Sequence, residues 1–326
     1  MTAGLPLHAG QASPAVSDLQ RRLTALDHDC ADDAAGRFGS ATEAAVRSFQ
    51  QARGLEVDGR CGRQTWLALE DAGRQLGDRL LYLTAPMLRG DDVADLQTSL
   101  GSLGFDAGWI DGLFGPDTAE ALTEFQINTA LNGDGIFGPE SLRALRRLTG
   151  RTGPAHPVAS LREVERLAAG AATVGEQRIV IVDPGGSAPI TEAIARRLLQ
   201  AGARVIVIHD PDPSASAAMA NQFNASLVYC LRSQVQDAVS HAYYEGPTFE
   251  SVGGRRLASL VCHELDRVLP VSGECIGRQV PLLKETRMTA VESRIGPTVM
   301  LVQHAPAVAD ALLAALASWC STPLEG

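Results

Sequence analysis

The sequence predicts a multi-domain α and α/β protein, with helical repeats in its first half and then an α/β domain whose mostly parallel sheet is flanked by helices. Three observations predict it. A unit of about 60 residues recurs at an offset of 76 to 77. Apolar residues inside each unit are spaced for helices. Beyond residue 178, short β-branched runs alternate with helical segments.

The repeat can be read residue by residue. Asp18-Leu19-Gln20 returns as Asp95-Leu96-Gln97, Phe38-Gly39 as Phe114-Gly115, Thr42 as Thr118, Phe49-Gln50 as Phe125-Gln126, and Asp58-Gly59 as Asp134-Gly135. Leu19, Leu23 and Leu26, then Val93, Leu96, Leu100 and Leu103, line single helical faces. Glycines in Asp58-Gly59-x-x-Gly62 and Asp134-Gly135-x-x-Gly138 suit the turns between helices. These features resemble the three-helix peptidoglycan-binding domain of cell-wall hydrolases, over residues 11–70 and 88–148. The resemblance implies a groove for glycan or stem peptide, with Phe38, Asp58, Phe114 and Asp134 as groove candidates. The bland reading of the same residues is core and turn, and for Phe38, Phe49, Phe114 and Phe125 core packing is the stronger expectation.

Residues 150–177 loosen into Gly-Arg-Thr-Gly-Pro-Ala-His-Pro and a charged, Ala- and Gly-rich stretch, which reads as a linker with one short helix. The α/β domain is placed at 178–320. Its strands are expected at Ile179–Val182, Val205–Ile208 and Leu227–Leu231. Helices are expected near Ile190–Ala201 and Ala215–Phe223, through Leu257, Leu260, Val261, Leu265 and Val268, and finally through Val308, Leu312, Leu316 and Trp319.

Composition narrows the partners. The chain of 326 residues has a formal charge of −10 and no long basic run, which argues against nucleic acid. No apolar stretch approaches the roughly 18 residues of a membrane span. The first ten residues show neither a basic nor an apolar signal region, so cytoplasmic residence is expected. Six scattered cysteines, Cys30, Cys61, Cys230, Cys262, Cys275 and Cys320, form no C-x-x-C pair and are expected as reduced, mostly buried thiols.

Arg178-Ile-Val-Ile-Val-Asp183-Pro184-Gly185-Gly186 resembles the opening strand and loop of zinc N-acetylmuramoyl-L-alanine amidases. The likeness continues through Ala220-Asn221, Leu227–Leu231, His241-Ala-Tyr-Tyr-Glu-Gly246 and Leu282-Leu-Lys-Glu-Thr-Arg-Met288, about 140 residues in all. It implies a zinc held by two histidines and a glutamate, with a further glutamate as general base. Here the first histidine falls at Gly186, the second at Arg232 in Cys230-Leu231-Arg232, and the base at Arg294 in Thr286-Arg-Met-Thr-Ala-Val-Glu-Ser-Arg294. A second register, through Pro297-Thr-Val-Met-Leu-Val302, puts Val302 at the base position. Glu192 is the candidate surviving ligand. Glycine has nothing to donate and a guanidinium cannot ligate a cation. The expectation is no metal, no cofactor and no catalysis, with Arg232 and Arg294 pairing with Glu192 in the former pocket. Cys262-His263-Glu264 lacks a second histidine at metal-binding spacing and reads as structural, and His209-Asp210 reads as a loop after a strand.

Within these amidases the chain resembles an actinobacterial branch with two binding repeats before a degenerate amidase domain and no signal peptide. Arg89-Gly-Asp-Asp-Val-Ala-Asp-Leu-Gln97, Leu231-Arg232 and Leu282 to Met288 carry that likeness. It implies a cytoplasmic, non-catalytic regulator of peptidoglycan precursor synthesis that activates the UDP-N-acetylglucosamine enolpyruvyl transferase. A forkhead-associated-domain protein, the lipid II flippase or a muropeptide are further partners it implies. That branch carries a regulatory phosphothreonine in an extended C-terminal tail, whereas Gly326 follows the last helix closely here, so the switch is not carried over. Two alternatives stay open: a muropeptide or lipid II sensor, and an active zinc amidase.

Overall fold

The computed structural model describes residues 4–149, 163, 173–246 and 249–321. The chain divides into two compact units, 1–161 and 162–326. The linker expected at 150–177 lies outside the described residues except for Glu163 and 173–177.

The first unit contains two three-helix repeats. Repeat one comprises α1 (Pro14–Ala25), α2 (Ser40–Ala52) and α3 (Arg63–Ala72); repeat two comprises α4 (Asp91–Ser102), α5 (Pro116–Asn128) and α6 (Pro139–Thr149). Ser13 caps α1 by accepting from the Val16 N–H, and Pro14 and Pro116 occupy first helical positions where no N–H is needed. Each repeat buries its own core, Leu19, Leu23, Phe38, Val46 and Phe49 in one, and Leu96, Leu100, Phe114, Leu122 and Phe125 in the other.

Within each repeat the structure shows a shorter recurrence. A helical glutamine clamps the following glycine loop to the start of the next helix. Gln97 donates through Nε2 to Asp111 (2.9 Å), Thr118 (3.1 Å) and the Leu113 carbonyl (3.1 Å), while its Oε1 accepts from the Gly112 N–H (2.9 Å). Gln126 repeats this with Asp134, Ser141, Ile136 and Gly135. Gln50 does so with Asp58, Thr65, Arg60 and Gly59. In Gln20 the set is Thr42, the Arg37 carbonyl and Gly36. There Ala35 stands where the others have aspartate, and Asp33 holds the Gly39 and Thr42 N–H groups instead. Gly59, Gly112 and Gly135 adopt positive φ, which the N–H geometry requires and a side chain would strain.

The repeats are joined by ion pairs. Arg89 grips buried Asp71 (2.8 Å) and Arg53 meets Asp91 (2.7 Å), while Arg79, in the segment between the repeats, meets buried Asp92 (2.7 Å).

The second unit is a six-stranded sheet in the order β2-β1-β3-β6-β4-β5, formed by β1 (Arg178–Val182), β2 (Arg204–Ile208), β3 (Leu227–Ser233), β4 (Val239–Tyr244), β5 (Gly273–Arg278) and β6 (Thr289–Ile295). All pairings are parallel except β4 with β6. The helices are α7 (Ala188–Gln200), α8 (Pro213–Gln222), α9 (Val252–Asp266), α10 (Pro281–Glu285), α11 (Thr298–Gln303) and α12 (Ala305–Ser321). Ile179, Ile181, Tyr229, Leu231, Val291 and Ile295 pack with α7, α9 and α12. Alternation turns Val180, Val228, Cys230 and Glu292 to the opposite face. Glu163 caps α9, accepting from Ser251 Oγ (2.5 Å) and from the Val252 and Gly253 N–H groups.

The sequence did not single out β4 or β5. Strand β5, Gly-Glu-Cys-Ile-Gly-Arg, has little alternation because it is an edge strand with one neighbour. Among the described residues no helix is long and apolar enough to cross a membrane. All six cysteines are free, but only Cys30, Cys61 and Cys230 are buried; Cys262 and Cys320 are half-buried and Cys275 is exposed, correcting the expectation of mostly buried thiols.

Candidate functional site

Strands β1, β3 and β6 are adjacent and parallel, so the loop after β1 and the last residues of β3 and β6 meet at one edge of the sheet, where parallel α/β folds place their ligands. The strand β6 register pairs Arg232 with Arg294 and Cys230 with Glu292. Residues two apart share a face, so both arginines stand above Glu292. Its two oxygens accept one bond from each: Arg232 Nε to Oε2 at 2.9 Å and Arg294 Nε to Oε1 at 2.8 Å. The Glu292 side chain is 1% exposed, Arg294 12% and Arg232 28%.

This corrects the sequence expectation for Glu192. The acid that the arginines share is Glu292, whereas Glu192 lies on α7 with its side chain 53% exposed. It faces His209, whose Nε2 is 3.4 Å from Glu192 Oε1 and whose Nδ1 is 3.4 Å from Asp183 Oδ2. Glu292 could have been found from strand alternation, because it is two residues before Arg294, but a motif aligned on lost ligands does not look there.

Electrostatics keep the cluster ionised. Burial alone pushes the Glu292 carboxyl up, but the Arg232 and Arg294 charges and their hydrogen bonds together outweigh it and hold it below the usual carboxylate range. Burial likewise pulls Arg232 down, and the Glu292 carboxylate more than reverses it. The Cys230 thiol beneath them is pushed well up, first by burial and then by Glu292.

In the β1 loop, Asp183 is buried, and its Oδ1 accepts from the Gly185 (3.0 Å) and Ser187 (3.3 Å) N–H groups. Gly186 has φ +88°, and a Cβ there would meet Ser233 Oγ at 3.0 Å. The alternative register through Val302 does not suit the sheet, since Val302 belongs to α11. His241 on β4 is fully buried, its Nδ1 2.8 Å from Ser293 Oγ, and burial pulls it down to about 4. Cys262, His263 and Glu264 lie on α9, where Cys262 Sγ contacts the Gly273 carbonyl (3.3 Å) and Glu264 pairs with Arg267 (3.3 Å).

An open zinc site needs three N or O donors at about 2.0–2.2 Å. Gly186 offers no side-chain donor, and Arg232 and Arg294 have no lone pair to give. Among the described residues no three His, Cys, Asp or Glu side chains gather so as to hold a metal ion. The residues at these positions do not fit zinc.

The groove candidates of the repeats also have other occupations. Phe38 and Phe114 are 1% and 0% exposed, so they are core. Asp58 and Asp134 are taken by Gln50 and Gln126 and by the N–H groups of Arg60 and Ile136. Each of these aspartates therefore holds a turn, because an Asx carboxylate two residues ahead of an N–H closes it locally.

Residues 12–69 and 89–145 match the family described as "Putative peptidoglycan binding domain". Across 96% of this chain and 89% of the relative, the sequence is 36% identical to N-acetylmuramoyl-L-alanine amidase CwlM of Mycobacterium tuberculosis. The chain belongs to the CwlM-like amidase family. A probable N-acetylmuramoyl-L-alanine amidase of Bacillus licheniformis is 33% identical over 41% of this chain and 42% of its own length. Among solved structures, the amidase Ami1 of Mycobacterium smegmatis aligns with 44% of this chain and 96% of its own at 14% identity, with a TM-score of 0.39. This CwlM-like chain is thus an amidase-like, peptidoglycan-associated protein with two repeats of the putative peptidoglycan-binding type.

Proposed function

We propose that this chain is a non-catalytic, amidase-like regulator of peptidoglycan precursor synthesis, acting in the cytoplasm and binding the UDP-N-acetylglucosamine enolpyruvyl transferase. The observation that carries the non-catalytic part is the shared carboxylate: Arg232 and Arg294 are both bonded to buried Glu292 at the strand ends assigned to a histidine and the general base. Gly186, Arg232 and Arg294 thus supply neither a ligand for a Lewis-acid metal nor a proton acceptor for attack on an amide. Glu192 is the one vestigial position with a carboxylate, and it faces His209. The regulatory part rests on the resemblance to the actinobacterial branch, and the match along nearly the whole of CwlM supports membership of that family.

Three measurements on protein purified without chelator test this. Elemental analysis is expected to find far less than one zinc per chain, and muramyl-peptide hydrolysis is expected to stay at background with zinc added. Affinity capture from native cytosol is expected to recover the enolpyruvyl transferase. One tightly bound zinc with chelator-sensitive cleavage would establish instead the amidase activity named for the relatives. Binding of muropeptide without recovery of the transferase would establish a sensor.

A further inference from the structure

We infer that the Arg232–Arg294 cluster is a receptor for an anionic group, carboxylate or phosphate. The inference rests on the non-catalytic reading above, because a metal ion in the same place would displace the arginines. Both guanidinium groups bond Glu292, and the acid is beneath them: Glu292 is 1% exposed while Arg232 keeps 28% of its side chain in solvent. The Nε bonds to Glu292 fix the two planar groups. Among the described residues Arg232 makes no bond beyond Nε, so its two Nη groups are available to a bidentate acceptor, the geometry that guanidinium offers to carboxylate and phosphate. Fixed orientation matters because a donor already held in place loses little entropy on binding.

The loop after β3 carries Val235, 88% exposed, and α11 carries Val299 and Val302, 65% and 59% exposed. These segments meet, with Thr298 Oγ1 donating to the Gln234 carbonyl at 3.4 Å. These valines lie on the segments that follow β3 and β6, the strands that carry Arg232 and Arg294. On the β1 side there is room over Gly185, where a Cβ would meet nothing within 4 Å. The adjoining start of α7 is not the receptor, since Asp183 already accepts from the Gly185 and Ser187 N–H groups and would repel an anion. The Ser187 hydroxyl there is fully buried and has no hydrogen-bond partner among the described residues.

Calorimetric titration of the full chain at low salt tests the inference with three probes: N-acetyl-alanyl-alanine, inorganic pyrophosphate, and the neutral amide N-acetyl-alanyl-alaninamide. Saturable binding is expected for at least one anion and not for the amide, and which anion binds separates a peptide carboxylate from a phosphate. Arg232→Gln is expected to weaken it at least about tenfold, roughly one charged hydrogen bond, while leaving Glu292 paired with Arg294. Arg232→Lys, which keeps charge but not the fork, serves if that variant does not fold, and is expected to bind more weakly than the parent. Absence of saturable binding by both anions, equal binding of the amide, or parental affinity in the folded Arg232 variant would overturn the inference. Zinc is measured on the same sample. Zinc-free protein that ignores both anions defeats this inference alone, whereas zinc-loaded, hydrolytic protein defeats the reading beneath it.

Discussion

Replacing Glu292 by glutamine keeps the shape of the side chain and removes its charge, leaving Arg232 and Arg294 facing each other on neighbouring strands. Each guanidinium loses a charged hydrogen bond, worth about 1.5–3 kcal/mol, so two bonds set a gross loss of about 3–6 kcal/mol. Breaking a buried ion pair from one side costs about 3–5 kcal/mol by a separate route. Because Arg232 is partly solvated, the lower end applies, about 3 kcal/mol. For a domain of this size each kcal/mol shifts the midpoint by about 2–4 °C, so Tm falls by ~6–12 °C. Thermal and urea unfolding of Glu292→Gln, followed by circular dichroism, measures it. Replacing all three residues together by Met, Leu and Met is expected to recover most of the loss, since an apolar trio of similar volume needs no paired charge. A Glu292→Gln variant within about 0.5 kcal/mol of the parent would refute the reasoning, because the carboxylate would then be doing no more than a surface charge does.

The remaining predictions use other parts of the molecule. His241 has a folded value near 4, below its unfolded value of about 6.5, so the unfolded chain binds more protons between them. Its contribution is fully present above about 6.5 and is lost as pH falls towards 4, by about 3 kcal/mol; urea midpoints of the parent against His241→Gln across that range measure it. Glu292, held below the usual carboxylate value, contributes stability above about 4.3 and loses it at lower pH, so its window is separable from that of His241 in the same titration. Gln97→Leu removes the clamp on the Gly112 loop and leaves buried Asp111 and Thr118 without their amide donor, which is expected to cost about 2–4 kcal/mol in unfolding of the first unit. Gly186→His is expected to destabilise by about 1–3 kcal/mol, since a side chain at φ +88° is strained and meets Ser233, and by itself to give no zinc binding in elemental analysis.

Periodicity and repetition made most of the fold legible. The two helical repeats, the first three strands and the long helices follow from spacing alone, because burying one face of a helix or both faces of a central strand demands that spacing. The edge strand β5 did not follow, since half-solvated backbone places little demand on side chains. The glutamine clamps were visible as repeated letters at Gln20, Gln50, Gln97 and Gln126, but their partners lie eight to more than twenty residues away, and only folding shows which amide meets which loop.

At the positions that the resemblance assigns to zinc ligands and base, the sequence by itself determined which donors are missing: glycine has no side-chain donor and arginine no lone pair, whatever surrounds them. The tertiary structure decided what replaced it. Choosing between Glu192 and Glu292 as the partner of two arginines depends on the parallel register of β3 with β6 and on which face of the sheet each residue takes. Those are set by packing across the whole domain, since charge attraction acts through space and carries no record of chain order.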